Sequence, residues 1–351
     1  MRRVAGELLG EEPSSVLLVN SWRGDFSTVA GLVFRSRAAR PVLAFKAATV
    51  AALAEAVRTE ARNLETLAGG FAPSFPDSVP RPLKLVAEGE VTLLVESVVE
   101  GSPIRPPSGA LWEPWLEGLL ERVVLWLEAF HAAAGSAPHP LVGEEFETLV
   151  LGPFVAYLAN FSTNAAERGF LEAMMKQAEG LRGQVLPVVP QHGDFCAANV
   201  FVGPASAVGV IDWEEPFFPS LPLMDLLHFV SSAGLSGEAR LDGDGLALFR
   251  AVFLDPGPLK RVVTRAVHRA GRRQGLDAGK TRVLAARYWV AYALEKLAAM
   301  RRWGQVPISP EKGPSDPAPS ALNAFSSARF EDGACLNLRL MAARSEEFLA
   351  A

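Results

Sequence analysis

Three oxygen-bearing side chains stand at short spacings in the middle of the chain. Residues 191–199 read QHGDFCAAN, which places Asp194 five positions before Asn199. Thirteen residues after Asn199, Asp212 closes the apolar run 208–211. Phosphoryl transfer from ATP needs one oxygen that orients the attacking hydroxyl group, and oxygen ligands that hold Mg²⁺ against the triphosphate. The pattern therefore predicts Asp194 as the orienting base and Asn199 and Asp212 as the Mg²⁺ ligands.

Each of these residues also has a purely structural interpretation. Asp194 and Asn199 are common turn residues, and Asp212 could cap the end of a strand. The spacing favours the functional interpretation, because two short strands that flank a turn would bring Asn199 and Asp212 side by side. For His192, we expect a hydrogen-bonding role that braces the loop. Asp225 could cap a helix or brace the catalytic loop, and the sequence leaves both roles open.

A lysine in an apolar strand suggests where the phosphates of a nucleotide would bind. Lys46 lies near the end of the predicted strand 41–47, where burial of an unpaired ammonium group costs free energy. Glu60 on the following helix is the expected partner, with Glu55 and Glu65 as rivals. A lysine positioned by a glutamate can bind the α- and β-phosphates of ATP. The alternative is a lysine at a strand edge and a glutamate that faces solvent.

The elements that position these residues follow from the periodicity of apolar side chains. Residues 1–97 predict an N-terminal lobe with a five-stranded sheet and one helix; residues 98–351 predict a larger, mainly helical lobe. The fold class is therefore α+β. The predicted N-terminal strands cover 15–20, 28–35, 41–47, 83–87 and 91–95, with a helix over 50–68. The predicted elements of the second lobe are helical stretches over 112–134 and 154–182, short strands over 199–202 and 208–212, and helices from 223 onward.

Three further segments complete the predicted organisation. The turn 20–28 could cover the phosphates with backbone amides, although an ordinary hairpin turn explains its single glycine equally well. The proline-rich segment 306–320 predicts a loop. A last helix is expected from about Cys335 onward. Nucleotide sites are common in clefts between lobes of this kind.

Composition excludes several classes of partner. The net charge of −5 makes nucleic acid a poor partner, and we expect the arginine-rich stretch 260–287 to be a solvated helix face. No run approaches the ~18 unbroken apolar residues of a membrane span. Two cysteines in 351 residues argue against a disulfide framework and favour a reducing cytoplasm.

Taken together, these motifs resemble the aminoglycoside phosphotransferase and choline kinase-like family, which shares the bilobal protein-kinase-like fold. The resemblance is carried by HGDxxxxN at 192–199 and IDW at 211–213, and it extends from about residue 15 to about residue 300. It implies ATP-dependent phosphorylation of a small molecule. Asp194 would take the position of the catalytic base, and Asn199 and Asp212 would hold Mg²⁺. Lys46 would contact the phosphates, with Glu60 fixing Lys46.

The resemblance also bears on the nucleotide base and on the phosphate acceptor. It implies that the backbone from Glu96 to Val98 meets the edge of adenine. Aminoglycoside kinases typically run through Gly-Asp-Pro before the later aspartate, whereas this chain has PFFPSLP at 216–222, so the acceptor stays open. Acidic residues such as Glu214 and Glu215 could attract a cationic acceptor. The alternative to a kinase is a catalytically silent nucleotide-binding protein with the same fold.

Overall fold

The computed structural model describes residues 1–20, 28–70, 78–133, 137–203, 207–215, 219–232, 235, 245–302 and 337–348. The chain forms two compact units. The first combines Met1–Arg105, Arg122–Ser136 and Val189–Pro219. The second combines Pro106–Glu121, Ala137–Val188 and Ser220–Ala351. A lobe boundary between residues 97 and 98 stays a prediction.

The regular elements alternate between short strands and longer helices. The strands are β1 (Ser15–Asn20), β2 (Val29–Phe34), β3 (Leu43–Ala48), β4 (Pro82–Glu88), β5 (Val91–Glu96), β6 (Ser102–Pro103), β7 (His139–Pro140), β8 (Val185–Leu186), β9 (Val189–Pro190), β10 (Val200–Val202), β11 (Val208–Val210) and β12 (Pro219–Ser220). The helices are α1 (Arg2–Leu9), α2 (Ala51–Gly70), α3 (Trp112–Ala133), α4 (Gly143–Phe146), α5 (Gly152–Asn160), α6 (Ala165–Ala178), α7 (Met224–Ser231), α8 (Gly245–Phe253), α9 (Pro258–Arg273) and α10 (Ala278–Arg302). A π-helical turn, Glu147–Leu151, joins α4 to α5.

The first unit is built on an antiparallel five-stranded sheet in the order β1-β2-β3-β5-β4. Side chains alternate along β3, so Leu43 and Phe45 pack with Val4 and Ala5 of α1, and Lys46 points to the other face. The predicted order of three strands, one helix and two strands is confirmed. Helix α1 was not expected. It has only eight residues and two buried side chains, so its apolar residues show no helical periodicity in the sequence.

A second, three-stranded sheet in the same unit has the order β11-β10-β6. Its hairpin pairs Val200 with Val210 and Val202 with Val208, which confirms the two short strands expected here. This strand pairing matters for the site, because Asn199 immediately precedes β10 and Asp212 follows β11. The hairpin therefore brings the two residues to the same end of the ladder, where Ile211 N donates to Asn199 O at 3.0 Å.

The C-terminal region is mainly helical, as predicted. The expected helix over 112–134 matches α3 to within one residue. The expected helical stretch 154–182 forms two helices, α5 and α6. A new helix starts after Asn164, because the side chain of Asn164 caps α6 by accepting from the backbone N–H of Glu167 at 2.8 Å. The expected turn at 21–27 and the segment 306–320 lie outside the described residues, as does Cys335. Residues 337–343 do form a helix.

The arginine-rich stretch forms a charged face on α9, as expected, but the expectation is wrong for Arg287 of α10, which is buried and donates to Leu149 O at 2.8 Å. Arg265 and Arg269 of α9 approach Glu113 and Glu121 of α3 at 3.7 and 2.6 Å. Arg273 also reaches Glu121, at 2.8 Å. The exposed fractions of these side chains range from about one-third to about one-half, so each pair contributes little to stability. Elsewhere in the chain, none of the described helices combines the length and apolar character that crossing a bilayer requires.

Candidate active site

The segment 191–199 forms a tight loop that is closed by hydrogen bonds of its own. Asn199 Nδ2 donates to Asp194 O at 2.9 Å and to Asp194 Oδ2 at 3.1 Å. Cys196 N also donates to Asp194 O at 2.9 Å. Phe195 is fully buried and stacks on Trp126 of α3 with ring centroids 5.6 Å apart. The loop is thus anchored through Phe195, while the neighbouring Asp194 keeps partial exposure.

His192 connects this loop to the segment that carries Asp212. Its Nε2 lies 3.0 Å from Ile211 O, and its Nδ1 accepts from Asp194 N at 3.3 Å. A neutral imidazole satisfies both contacts, with Nε2 as the donor and Nδ1 as the acceptor. The ring is 1% exposed and lies 4.4 Å from the ring of Trp213. His192 therefore fixes the spacing between two of the residues predicted to do chemistry.

Helix α2 holds the segment after β11. Glu60 Oε1 accepts from Trp213 N at 3.1 Å. One turn later, Asn63 Nδ2 donates to Trp213 O at 2.7 Å and to Glu215 O at 2.8 Å. Immediately before these contacts, Asp212 adopts a left-handed conformation with φ of 69°. Aspartate tolerates this region better than most residues, but it usually needs its surroundings to hold it there.

Asn63 is a residue that sequence reasoning missed, and it provides a test of this clamp. We expect Asn63→Ala to lower the free energy of unfolding by about 2 kcal/mol, because two carbonyl groups lose a buried donor. Urea denaturation measures the change. Glu65→Ala, an exposed position on the same helix, is the control and should stay within about 0.5 kcal/mol of the wild type. Equal stabilities for the two variants would show that the clamp contributes nothing.

Lys46 lies among three carboxylates. Its Nζ is 2.7 Å from Glu60 Oε2 and 3.2 Å from Glu214 Oε2, and it contacts Asp212 Oδ1 directly. Single oxygens of Glu60, Asp212 and Glu214 lie within 4.8 Å of one another. Lys46 is 14% exposed and Glu60 is 1% exposed, so this pair is buried. Burial lowers the pKa of Lys46, but the three carboxylates outweigh it and raise that pKa above its ordinary value.

The rivals of Glu60 are placed elsewhere. Glu55 pairs at the surface with Arg62 at 2.6 Å, and Glu65 is exposed. The sequence carries a signal that separates them: Glu60 interrupts an apolar stripe at 53, 57, 64 and 67, which has the spacing of one helix face. Glu214, considered only as part of an acidic acceptor wall, instead reaches the lysine.

Glu96 ends β5 on the same side of the sheet as Lys46. It is 9% exposed, and its Oε2 has no hydrogen-bond partner among the described residues. Burial raises the pKa of Glu96 to about 8, and the negative charges of Glu60 and Asp212 also raise it. The positive charge of Lys46 lowers this pKa but does not outweigh them. Val98, two residues on, is half-buried. Whether the backbone here meets a base stays a prediction.

The buried carboxyl group of Glu96 should make stability depend on pH. Its pKa is raised in the folded state, so its favourable contribution is complete below its ordinary pKa of 4.5 and is lost as the pH rises through about 8. Glu96→Gln cannot ionise. We therefore expect the variant to gain stability over the wild type, by on the order of a few kcal/mol, between about pH 5 and pH 9. Chemical denaturation across this range measures it, with the exposed Glu100→Gln as the control. A difference that is constant with pH would contradict the prediction.

Asp225 belongs to the second unit. It is 3% exposed and is the second residue of α7, whose N-cap is Leu223. It is therefore in the first turn rather than at the cap itself, where a carboxylate still interacts favourably with the helix dipole.

Comparison with known proteins gives one match of sequence and several of fold. The profile of the APH family, described as the phosphotransferase enzyme family, matches residues 33–260. No curated protein matches the chain in sequence. Among solved structures, a thermostable mutant of aminoglycoside phosphotransferase APH(4)-Ia in ternary complex with ADP and hygromycin B is 16% identical. That alignment covers 97% of this chain and 98% of the other, with a TM-score of 0.52.

A second solved structure gives the same result. A mutant of aminoglycoside 2'-phosphotransferase-IIIa in complex with GDP is 12% identical, with 97% of each chain covered and a TM-score of 0.51. At such identities the likeness concerns the fold alone. It confirms the α+β class and the protein-kinase-like fold expected from the sequence, with a β-sheet N-terminal region and a mainly helical C-terminal region.

Proposed function

The chain belongs to the phosphotransferase enzyme family, and we propose that it transfers the γ-phosphate of ATP to a hydroxyl group of a small molecule. The observation that carries the proposal is the convergence within one compact unit of a loop carboxylate, an amide, a second carboxylate and a buried lysine. Asp194 and Asn199 are joined directly, and Lys46 contacts Asp212. Phosphoryl transfer depends on positioning and on neutralising charge, and these are the groups it uses.

The oxygen donors fit a hard divalent cation. Asn199 uses its amide nitrogen to bond Asp194, so its amide oxygen is the ligand it offers, beside the carboxylate of Asp212. The ammonium group of Lys46 contacts Asp212 and Glu214, and this contact supports a favourable position for a positive charge beside Asp212. Mg²⁺ prefers such oxygen ligands, and Asn199 and Asp212 would hold it. When bound, it would neutralise the charge of the phosphate oxygens.

The protein's own side chains perform the remaining tasks. Asp194 orients the acceptor hydroxyl group so that its oxygen faces the γ-phosphorus atom. Asp194 accepts the proton of that hydroxyl group as its oxygen bonds to phosphorus, the bond to the β-phosphate oxygen breaks and ADP leaves. Lys46 contacts the α- and β-phosphates, and the buried carboxylate of Glu60 keeps its ammonium group in place. His192 links the loop to the Asp212 segment, and Asn63 holds that segment against helix α2. Such preorganised charge is the largest source of rate enhancement in sites of this kind.

Turnover of ATP against a panel of acceptors tests the proposal. Sugars, aminoglycosides and amino alcohols are each incubated with ATP and Mg²⁺, and ADP release is measured alongside mass spectrometry of the acceptor. A phosphorylated acceptor that is absent in EDTA is the expected result. ATP binding without any phosphorylated product across the panel would favour a catalytically silent nucleotide-binding protein instead. The cytoplasm is the proposed location.

A further inference from the structure

Arg287 places a positive charge in the interior of the second unit. The residue lies on α10 and is 9% exposed. Among the described residues its polar partners are Leu149 O and Met224 Sδ, and no carboxylate forms an ion pair with it. Burial lowers the pKa of Arg287 to about 10, so the side chain keeps its charge at neutral pH. A buried charge without a counter-charge is costly, and a bound anion would supply what the protein lacks.

The two contacts of the guanidinium group orient it but leave much of its hydrogen-bonding capacity unused. Nε donates to Leu149 O at 2.8 Å, and Nη1 donates to Met224 Sδ at 3.1 Å. A thioether sulfur is only a weak acceptor. Each contact uses one N–H group, so three of the five in a guanidinium group have no acceptor in the described part of the chain. Nη2, which takes part in neither contact, keeps some access to solvent.

The backbone that holds Arg287 is itself unusual. Leu149 lies in the π-helical turn Glu147–Leu151. Such turns are rare and are frequent at functional sites. The carboxylate of this turn does not neutralise the arginine, because Glu147 pairs with Arg182 at 2.9 Å. The turn therefore positions the guanidinium group through a carbonyl oxygen and leaves its charge uncompensated.

Aromatic side chains of α7 and α10 lie beside the arginine. Met224 and His228 are four residues apart on α7 and therefore share one face of that helix. His228 Nδ1 lies 3.2 Å from the hydroxyl oxygen of Tyr288, the residue that follows Arg287. The His228 ring is also 6.0 Å from that of Tyr292, which is half-buried. Rings at this position offer the organic part of a ligand a surface to pack on.

We propose that Arg287 binds the carboxylate or phosphate group of a small organic molecule where α7 meets α10. A guanidinium group presents parallel N–H groups that match two oxygens of either anion. All of the residues that carry the proposal belong to the second unit, whereas Asp194, Asp212 and Lys46 belong to the first. The inference therefore goes beyond the proposed function and does not depend on it.

Binding of phenyl phosphate to the full chain tests the site. Phosphorus NMR titrations measure its dissociation constant, and proton NMR measures that of benzyl alcohol, an uncharged aromatic control. We expect phenyl phosphate to bind at least about tenfold more tightly than benzyl alcohol, because only the anion compensates the guanidinium group. Equal affinities would overturn the proposal. No nucleotide is present, so the result does not depend on whether the chain transfers phosphate.

Three substitutions locate the bound anion. Arg287→Met replaces the buried charge with an apolar side chain, and it should bind phenyl phosphate at least about tenfold more weakly than the wild type. Arg272→Met removes the same charge from an exposed position on α9, and Lys46→Met removes the cation of the proposed nucleotide site. Both of these should stay within about twofold of the wild type. A merely structural role of Arg287 would change the stability of Arg287→Met and leave its affinity for phenyl phosphate unchanged. Weaker binding in Lys46→Met alone would place the anion at the nucleotide site and overturn the inference.

A conservative variant keeps the test valid if Arg287→Met does not fold. Arg287→Lys retains the positive charge but loses the paired N–H groups, so phenyl phosphate should bind at least about threefold more weakly than to the wild type. An unchanged affinity would rule out recognition by the guanidinium group.

Inorganic phosphate distinguishes a free ion from an anionic group on an organic molecule. It should bind the wild type at least about threefold more weakly than phenyl phosphate does, because it cannot pack on the aromatic rings. Equal affinities would overturn the organic part of the assignment and leave a site for the free ion.

Discussion

Asp194→Asn should transfer phosphate about 10²–10⁴-fold more slowly than the wild type while it still binds nucleotide. The carboxylate is the group we expect to accept the proton of the attacking hydroxyl, and an amide of the same shape is too weak a base to do so. Asn199 Nδ2 and Cys196 N both donate to the backbone oxygen of residue 194, and these two bonds do not depend on its side chain. The loop should therefore keep its conformation.

The kinetic parameters distinguish this role from a binding role. A lower kcat with an unchanged dissociation constant for the nucleotide indicates an interaction made in the transition state. A higher KM with an unchanged kcat would assign Asp194 to substrate binding. Steady-state kinetics with any acceptor found in the panel, together with calorimetry of nucleotide binding, provide both values.

A neighbouring position supplies the control for Asp194. Cys196 lies two residues on in the same loop and is half-buried, and serine is close to it in size. Cys196→Ser should retain kcat within a few-fold of the wild type. Loss of activity in both variants would point to a disturbed loop, and full activity in Asp194→Asn would remove this residue from the chemistry.

The parts of the site that lie on one short segment could be predicted from the sequence. Asp194, Asn199 and Asp212 are joined by a loop and a hairpin of a few residues, so their spacing restricts how far apart they can lie. The strands and helix α2 were predictable for a similar reason, because each buries one periodic face. The local sequence pattern was sufficient for prediction wherever only a few backbone conformations are compatible with it.

Contacts between distant segments could not be predicted in this way. Asn63 meets Trp213 across 150 positions, and Glu214 meets Lys46 across 168. Neither contact leaves a local signal, because an asparagine on a helix and a glutamate in a loop are common solvent-facing residues. Glu60 differs, since a charged residue within an apolar stripe is a conflict that only a buried partner resolves.

Lys46→Met should destabilise the protein and make its stability depend more strongly on divalent cations than that of the wild type. The substitution removes the only cation that contacts Glu60, Asp212 and Glu214 in the described part of the chain. Breaking a buried ion pair by deleting one partner typically costs about 3–5 kcal/mol, because it leaves an uncompensated buried charge. We expect a loss near the lower end, about 3 kcal/mol, since Asp212 and Glu214 are each about one-third exposed and reach solvent.

A surface lysine in the same unit serves as the matched control. Lys84 pairs with Glu7 at 2.6 Å, but both side chains are well exposed. Lys84→Met is the same substitution and removes the same charge. Because the pair is exposed, it should lower the free energy of unfolding by no more than about 1 kcal/mol. The comparison isolates the effect of burial from that of net charge.

Mn²⁺ then tests whether Lys46 occupies the position of the metal in the protein without nucleotide. Removing the ammonium group frees Asp212 and Glu214 to bind a cation. Lys46→Met should therefore bind Mn²⁺ at least about tenfold more tightly than the wild type. A factor of ten corresponds to about 1.4 kcal/mol of binding free energy, which is the least that we expect from removing the competing positive charge. Electron paramagnetic resonance measures free Mn²⁺ directly, and denaturation with and without Mn²⁺ should show a larger gain in stability for the variant. If Lys46→Met binds Mn²⁺ no more tightly than Lys84→Met, the lysine and the metal do not compete, and the cation site must lie away from Glu214 and the Lys46 side of Asp212.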